Sequence, residues 1–348
     1  MRALRNIWYV AAWAEELNAG DILHRIFLEK PVVLFRDQEG AVKALSDRCP
    51  HRFVPLHIGD LVEGAIQCKY HGLRFGGDGR CVLNPHGSIV QALHVPAYPV
   101  VERYGAVWIW LGDPELADPA KIPVFSILEP DLYAVGHGYL RVHANYELES
   151  DNIMDLSHIE FLHPLFSTEA VRRAKIQSYQ EGDIVWSKRF MTDDHLPPYL
   201  ADVFNIPPGT LADRWLDCRW RAPALIELWG GAVSAGRPPE EGVVTPSIHF
   251  FTPESQGTTH YFYGMCAPLS LGASAHDIAR KQTEALRIPF EEEDLPVLEA
   301  QQAMIGDAHF DSLRPVLLPG DAGGVRARRV LARMIAAEEG QAREGEKL

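Results

Sequence analysis

"CPHRFVPLHIGDLVEGAIQCKYHGLRF", residues 49–75, contains two Cys-His pairs. Cys49, His51, Cys68 and His71 follow the spacing C-x-H-x16-C-x2-H, so each half of the motif supplies one thiolate and one imidazole. This donor set suits either tetrahedral zinc or a [2Fe-2S] cluster whose second iron takes two histidines. Zinc fingers usually group two cysteines and then two histidines. The alternation therefore favours the cluster, in which one iron takes both sulfurs and the other both nitrogens.

Length, charge and cysteine content restrict the number of domains, the classes of binding partner and the cellular compartment. With 348 residues the chain is longer than one core usually grows, which favours two domains. The net charge of -14 argues against nucleic acid or an anionic membrane surface as a partner. No apolar run approaches the roughly 20 residues that cross a bilayer, so we expect a cytoplasmic protein. Five cysteines, an odd number, indicate a reduced compartment without disulfides.

The first third of the sequence is typical of short strands. Residues 31–47 and 73–83 are apolar runs around glycine-containing turns, and residues 105–112 form another β-rich run. Prolines then interrupt regular structure over residues 112–123. We therefore expect an all-β domain over residues 1–115 and a second domain over residues 116–348.

The second domain is predicted to be α+β, with an antiparallel sheet flanked by helices. Apolar residues recur at helical intervals over residues 145–166, and further helices are expected over 275–305 and 325–340. Between them lie runs rich in aromatic and β-branched residues, which favour strands. These runs are residues 183–191, 215–229, 247–254 and 257–266.

Two histidines, His158 and His163, lie near the end of the first predicted helix. They are five residues apart, whereas one helical face recurs every three or four residues. A helix that is distorted or ends before Pro164 would bring them together. Two histidines near a helix end are by themselves more often structural than metal ligands.

Both motifs resemble those of Rieske non-heme iron oxygenases. The first resembles the Rieske motif, including Pro50, Arg52, Tyr70 and Gly72 around the ligands. The second, "DNIMDLSHIEFLHP", resembles the iron-binding stretch D/N-x-x-D-x-x-H-x4-H of that family. The resemblance runs from "NIWYVAAW" to "EEEDLPVLEAQQ" and is greatest to the group with vanillate O-demethylase, dicamba monooxygenase and toluenesulfonate methyl-monooxygenase.

The resemblance implies two metal centres. Cys49, His51, Cys68 and His71 would hold a [2Fe-2S] cluster, and His158, His163 and Asp294 a mononuclear Fe(II) with positions open for O2. Pro296 departs from the uninterrupted helix expected around Asp294, and the neighbouring Glu291, Glu292 and Glu293 are predicted to be a solvated face.

Asn152 and Asp155 are the implied catalytic residues beside this iron. The Asp155 carboxylate is expected to accept a hydrogen bond from the His158 ring and to reach the Rieske histidine of a neighbouring subunit. That arrangement implies a homotrimer.

The implied function is that of a terminal oxygenase that uses O2 and electrons from a separate reductase or ferredoxin. It would hydroxylate a methyl or methoxy group of a small aromatic substrate, with O-demethylation and formaldehyde release as the leading reaction. Aryl-methyl hydroxylation and N-demethylation remain alternatives. So do, from other classes, a Rieske electron-transfer protein with a non-catalytic binding domain and a structural zinc protein.

The substrate pocket is predicted from the aromatic strands. Their members Trp229, His249, Phe251, His260, Tyr261 and Phe262 would line an aromatic cavity. We select Trp229, Phe251 and His260 as substrate-binding residues, with His260 hydrogen-bonding a polar substituent or carboxylate.

Overall fold

The computed structural model describes residues 1–308 and 310–345. The chain divides into two compact units: the first comprises Met1–Val124 and Thr252–Ser255, and the second comprises Phe125–Phe251 and the chain from Gln256 onward. Within the described ranges, no helix is long and apolar enough to span a bilayer.

The division falls after Val124 rather than after residue 115, because the proline-rich segment is not a free linker. Its prolines begin two 3-10 turns, Pro114–Leu116 and Pro119–Lys121, each capped by a preceding aspartate. The indole N–H of Trp8 donates to the carbonyl oxygen of Asp118 at 2.9 Å, so the segment is attached to the first unit.

The first unit is all-β, as predicted. Its strands are β1 (Trp8–Trp13), β2 (Ile22–Phe27), β3 (Lys30–Arg36), β4 (Val42–Ser46), β5 (Asp60–Val62), β6 (Ala65–Gln67), β7 (Arg74–Phe75), β8 (Cys81–Leu83), β9 (Ala97–Tyr98), β10 (Val100–Arg103) and β11 (Ala106–Trp110). They form antiparallel sheets in the orders β1-β11-β10, β2-β3-β4-β9 and β5-β6-β7-β8. Every residue of β1 and of β11 is buried, so these two strands form the centre of the core.

The sheet β5-β6-β7-β8 presents the two loops of the Cys-His motif. Residues 47–59 connect β4 to β5, and residues 68–73 connect β6 to β7. Gly72 has a φ of +70°, a left-handed conformation that glycine adopts without strain, and its N–H donates to the Cys68 carbonyl at 3.0 Å. The second loop is therefore a tight turn that holds Cys68 and His71 close together.

The second unit contains a large antiparallel sheet, as predicted. Its strands are β12 (Tyr133–Val135), β13 (Gly138–Val142), β14 (Lys175–Glu181), β15 (Ile184–Asp194), β16 (Ala212–Arg221), β17 (Leu225–Ser234), β18 (Val243–Ser255, of which Thr252–Ser255 is counted in the first unit) and β19 (Thr258–Pro268). The order is β12-β19-β18-β17-β16-β15-β14, and β13 also pairs with β19. In β16 buried and half-buried residues alternate strictly, because successive side chains point to opposite faces.

Helices accompany this sheet, as expected. They are α1 (Tyr146–Met154), α2 (Ile159–Leu162), α3 (Glu169–Arg172), α4 (Pro198–Val203), α5 (Ala275–Ala285), α6 (Leu295–Ile305) and α7 (Ala322–Gly345). A π-helical segment, Ile288–Asp294, precedes α6. The helix predicted over 145–166 is broken: Asp155 is extended, with φ -124° and ψ 93°, and a 3-10 turn, Leu156–His158, leads into α2.

Candidate metal centres

The Cys-His motif of the first unit places its donors in two pairs. Cys49 and Cys68 are buried, and burial together with the adjacent Cys68 thiol raises the pKa of Cys49 to about 11. The rings of His51 and His71 lie nearer the surface, with centroids 4.4 Å apart and planes at 66°. Backbone N–H groups of both cysteines are bonded within their own loops, which fixes the thiols.

The separation of these pairs fits a two-iron cluster better than one zinc ion. Among the described residues, two groups of at least three His, Cys, Asp or Glu side chains have donor atoms that all lie within 4.8 Å of one another. Neither group includes Cys49, His51, Cys68 or His71. A tetrahedral zinc would hold all four donors at bonding distance from one ion. A [2Fe-2S] cluster takes the sulfurs on one iron and the imidazoles on the other. The donor set therefore fits a Rieske cluster with buried sulfurs and outward-facing histidines.

We expect His71→Ala to abolish the cluster, because the outer iron loses an imidazole ligand. Visible absorption and the EPR signal of the reduced protein would both disappear. His86→Ala is the matched control, because His86 is a neighbouring histidine outside the proposed ligand set: its Nε2 bonds the His71 carbonyl oxygen at 2.9 Å, and the two ring centroids are 6.0 Å apart. A normal spectrum in His71→Ala, or equal bleaching in His86→Ala, would contradict the assignment.

The second unit brings His158, His163 and Asp294 together. Asp294 Oδ1 lies 3.6 Å from His158 Nε2 and 3.3 Å from His163 Nε2, and the two ring centroids are 5.2 Å apart. His163 and Asp294 are buried, whereas His158 is partly exposed. Two imidazoles and one carboxylate form a donor set typical of mononuclear Fe(II), with further coordination positions left open.

Two local distortions create this triad. The break at Asp155 ends α1 and starts a new helical segment, so His158 and His163 are not on one regular helix. The π-helical segment ends at Asp294, and Pro296 lies in the first turn of α6. Asp294 Oδ1 nevertheless lies within 3.6 Å of His158 Nε2 and 3.3 Å of His163 Nε2. Pro296 therefore does not displace Asp294 from the site.

The other nitrogen of each histidine is held by the protein. His158 Nδ1 lies 2.9 Å from the Asp155 carbonyl oxygen, and His163 Nδ1 lies 2.6 Å from Glu293 Oε2. Burial lowers the pKa of His158. At His163 burial acts in the same direction, but Asp294 and Glu293 outweigh it and raise the pKa. A divalent cation would neutralise this negative charge, so the triad fits iron.

Two expectations about neighbouring acids were wrong. Glu293 is not part of a solvated face, because its carboxylate contacts His163. The Asp155 carboxylate does not accept from the His158 ring: it caps the 3-10 turn through the backbone N–H of Ser157 and pairs with Arg189 Nη2, both at 3.0 Å. The extended conformation of Asp155 leaves its carbonyl oxygen, rather than its side chain, beside His158.

Asn152 acts on the carboxylate of the triad. Its Nδ2 donates to Asp294 Oδ1 at 3.1 Å. The side chain comes from α1, so the hydrogen bond links that helix to the end of the π-helical segment. Asn152 is therefore placed to orient Asp294.

The triad forms one wall of a cavity of about 140 Å³. Most of the remaining wall is apolar and includes Leu200, Phe204, Leu216, Leu228 and Phe290. Polar groups come from Asn152, Arg214, Thr245, Ser247, His249 and Gln282. An apolar space with a few directed polar groups beside a metal site is typical of a substrate pocket.

None of the three predicted substrate-binding residues lines this cavity. Trp229 lies between Leu228 and Gly230 in β17, and both of these neighbours line the cavity. Because successive side chains of a strand point to opposite faces, Trp229 points away from the cavity, where it stacks on Trp186. The His260 ring bonds Tyr139 Oη at 2.9 Å. Phe251 packs against Tyr261, with ring centroids 4.6 Å apart.

Arg214 is the lining residue that the sequence reasoning missed. It is 3% exposed, its Nη1 donates to the Phe166 carbonyl oxygen at 3.2 Å, and Asp194 lies 3.8 Å away. Its Nε has no hydrogen-bond partner among the described residues. The signal was its position in the buried register of β16. A buried arginine with a free donor is suited to an anion entering the cavity.

His249 is the other lining residue that was passed over. Its ring lies between Ser247 Oγ at 2.9 Å and Tyr261 Oη at 2.7 Å. Complete burial lowers its pKa to about 3, so the imidazole is neutral. It offers the cavity a fixed polar group without charge.

A buried-sulfur Cys2His2 site and a separate His2Asp site on an α+β unit define the class of Rieske non-heme iron oxygenases. Family models agree: one described as Rieske [2Fe-2S] domain matches residues 7–99, and one described as Vanillate O-demethylase oxygenase C-terminal domain matches residues 142–337. The chain belongs to this vanillate O-demethylase oxygenase family. It is a terminal oxygenase that carries a [2Fe-2S] cluster and a mononuclear iron.

Full-length relatives support the assignment. Chloroacetanilide N-alkylformylase, oxygenase component, of Rhizorhabdus wittichii is 36% identical, with 96% of each chain covered. Dicamba O-demethylase, oxygenase component, of Stenotrophomonas maltophilia is also 36% identical, over 96% of this chain and 98% of the relative. The crystal structure of dicamba monooxygenase bound to 3,6 dichlorosalicylic acid superposes with a TM-score of 0.87 at 34% identity, covering 96% and 98%. Another structure of that enzyme contains non-heme iron and dicamba, with a TM-score of 0.81 at 33% identity, covering 98% and 100%.

Proposed function

We propose that the protein removes the methyl group of a small methoxyarene that carries an anionic substituent, releasing formaldehyde. The observation that carries this proposal is a single cavity lined both by the His2Asp triad and by Arg214, whose Nε has no hydrogen-bond partner among the described residues. The matching family model and the dicamba O-demethylase relative support O-demethylation as the reaction.

The size of the cavity favours a monocyclic substrate. Its volume is about 140 Å³, and an apolar cavity of about 150 Å³ in another protein accommodates benzene. Apolar walls such as Leu216 and Phe290 would cover the ring and exclude water. Arg214 would pair with a carboxylate or sulfonate at one end of the ring, which leaves another substituent directed to the triad.

The side chains around the proposed iron have separate roles. His158, His163 and Asp294 would bind the metal, which supplies O2 activation when present. Asn152 orients Asp294, and Glu293 and the Asp155 carbonyl hold the histidine rings. The neutral His249, whose two ring nitrogens are bonded to Ser247 Oγ and Tyr261 Oη, would form part of the wall without competing for the anion.

We expect Arg214→Met to raise KM for a methoxybenzoate about 10- to 100-fold, because a hydrogen bond to a charged group contributes about 1.5–3 kcal/mol. Turnover of a neutral methoxyarene such as anisole should change little. The assay measures O2 uptake and formaldehyde with a surrogate reductase. Arg214→Lys is the control, because it keeps a positive charge beside the buried Asp194 carboxylate. Equal losses on both substrates, or no preference of the wild type for the acid, would contradict the anion role.

Electrons would come from a separate reductase or ferredoxin, since the relatives are named oxygenase components.

We propose a homotrimer in the cytoplasm, in which a second copy docks its Rieske loops near Asp155. Asp155 lines a surface cavity of about 430 Å³ whose rim includes the exposed Val316 and Leu317. Exposed apolar residues around a carboxylate favour a protein partner at this surface. Molar mass in solution, measured by light scattering, tests the trimer.

A further inference from the structure

A third group of metal-binding side chains lies in the first unit and takes no part in the proposed oxygenase chemistry. His24 is on β2, and Asp47 and His57 are both in the loop of residues 47–59 that follows β4. Their donor atoms all lie within 4.8 Å of one another. The other group that meets this criterion in the described residues is the His158, His163 and Asp294 triad.

Asp47 is held rigidly at the centre of this group. Its side chain is 2% exposed, its Oδ1 accepts the backbone N–H of His57 at 2.8 Å, and its own N–H donates to the Pro31 carbonyl at 2.9 Å. The second oxygen, Oδ2, faces both imidazoles. It lies 3.3 Å from His24 Nε2 and contacts His57 Nδ1.

We propose that His24, Asp47 and His57 bind a divalent transition-metal ion, zinc in particular, with water as the fourth ligand. Two imidazoles and a carboxylate are a common zinc donor set when one position stays open. Tetrahedral zinc with bonds near 2.0–2.1 Å separates neighbouring donors by about 3.3 Å. The His24–Asp47 separation already has this value.

The fit requires only a small movement of His57. Its Nδ1 is too close to Asp47 Oδ2 for both atoms to bind one ion, so the ring must move outward. The side chain is 31% exposed and that of His24 is 33% exposed, which leaves room for this shift and for water. The carboxylate, in contrast, needs no rearrangement.

The buried Asp47 carboxylate supports a cation at this position, because its Oδ2 faces both imidazoles and a bound ion would give the carboxylate a charge partner. The competing arrangement has no metal and uses Asp47 Oδ2 as acceptor for both ring N–H groups.

A metal ion bound by His24, Asp47 and His57 should affect the Rieske cluster. Asp47 is two residues before Cys49, and His57 lies in the same ligand loop. A bound ion would tie β2 to that loop and would place positive charge near the cluster. Positive charge stabilises the reduced cluster, so zinc should raise its reduction potential.

The test uses the fully iron-loaded protein and zinc alone as the probe. After incubation with a small excess of Zn(II) and gel filtration, zinc and iron are counted per chain by elemental analysis. The wild type should retain one zinc with its iron content unchanged. His24→Gln and His57→Gln should lose that zinc, and His276→Gln, which changes an exposed histidine on α5, should keep it.

The reduction potential provides a second measurement. Zinc should shift it upward in the wild type and in His276→Gln, and leave it unchanged in His24→Gln. Absence of bound zinc in the wild type, equal zinc in His24→Gln, or a zinc gain matched by loss of iron would overturn the site. These results are independent of demethylase activity, because neither His24 nor His57 belongs to the proposed oxygenase machinery.

Discussion

Asp294→Ala should abolish turnover while the Rieske spectrum stays intact, and His158→Ala or His163→Ala should do the same. Each variant removes a donor from the triad in the second unit, whereas the four cluster ligands lie in the first. Loss of a direct ligand should exceed the 10- to 100-fold effect of changing a supporting residue. Iron content should fall from three per chain toward two, and product formation should fall to background.

Glu292→Ala is the matched control, because Glu292 is an exposed acid two residues before Asp294. A substitution at such a position usually changes stability by less than about 0.5 kcal/mol. It should retain iron and activity. If Glu292→Ala loses iron and Asp294→Ala keeps it, the carboxylate has been assigned wrongly.

Asp155→Asn should retain both metal centres and the proposed homotrimer but lose most electron transfer from cluster to iron. The carboxylate, set by Arg189 and by the backbone N–H of Ser157, faces the surface cavity proposed to receive a second copy. The amide keeps the size of the side chain and removes its charge. The Asp155 carbonyl that holds His158 is unchanged by this substitution.

Single-turnover kinetics measure this step directly. The cluster is reduced chemically, mixed with O2 and substrate, and followed by its visible absorption as it is reoxidised. Reoxidation should slow by about 10- to 100-fold or more. Asp217→Asn is the control, because Asp217 also pairs with a cation, Lys188 at 2.9 Å, but lies outside both cavities. Normal kinetics in Asp155→Asn, or full activity of a monomer, would reject the route between subunits.

The spacing of the first motif indicated Cys49, His51, Cys68 and His71, whereas His158 and His163 were assigned as ligands through the resemblance to the oxygenase family; the members of each pair are close along the chain. Cys68 and His71 lie in one tight turn, and His158 and His163 flank one short helical segment. Their proximity therefore depends on a few backbone angles that the nearby glycine and the helix break determine. Asp294 was found by resemblance, and its placement needed the π-helical segment.

The substrate cavity could not be inferred in the same way. Its walls come from several strands and helices far apart in the chain, and a shift of one residue reverses the face of a strand side chain. Trp229 was selected for its aromatic character, yet its neighbours Leu228 and Gly230 face the cavity. Arg214 was passed over because nothing local distinguishes a buried arginine from an exposed one in an alternating strand.

The sequence by itself determined the α+β class, the all-β first domain and the short motifs that propose both metal sites, since these depend on periodicity and on residues close along the chain. Tertiary structure decided which polar groups support the triad and which face the cavity. In the folded protein Glu293 bonds His163, the Asp155 carboxylate pairs with Arg189, and the Nε of Arg214 has no hydrogen-bond partner among the described residues. The physical reason is that hydrogen-bond partners of buried groups are chosen by long-range packing, which residue spacing does not encode.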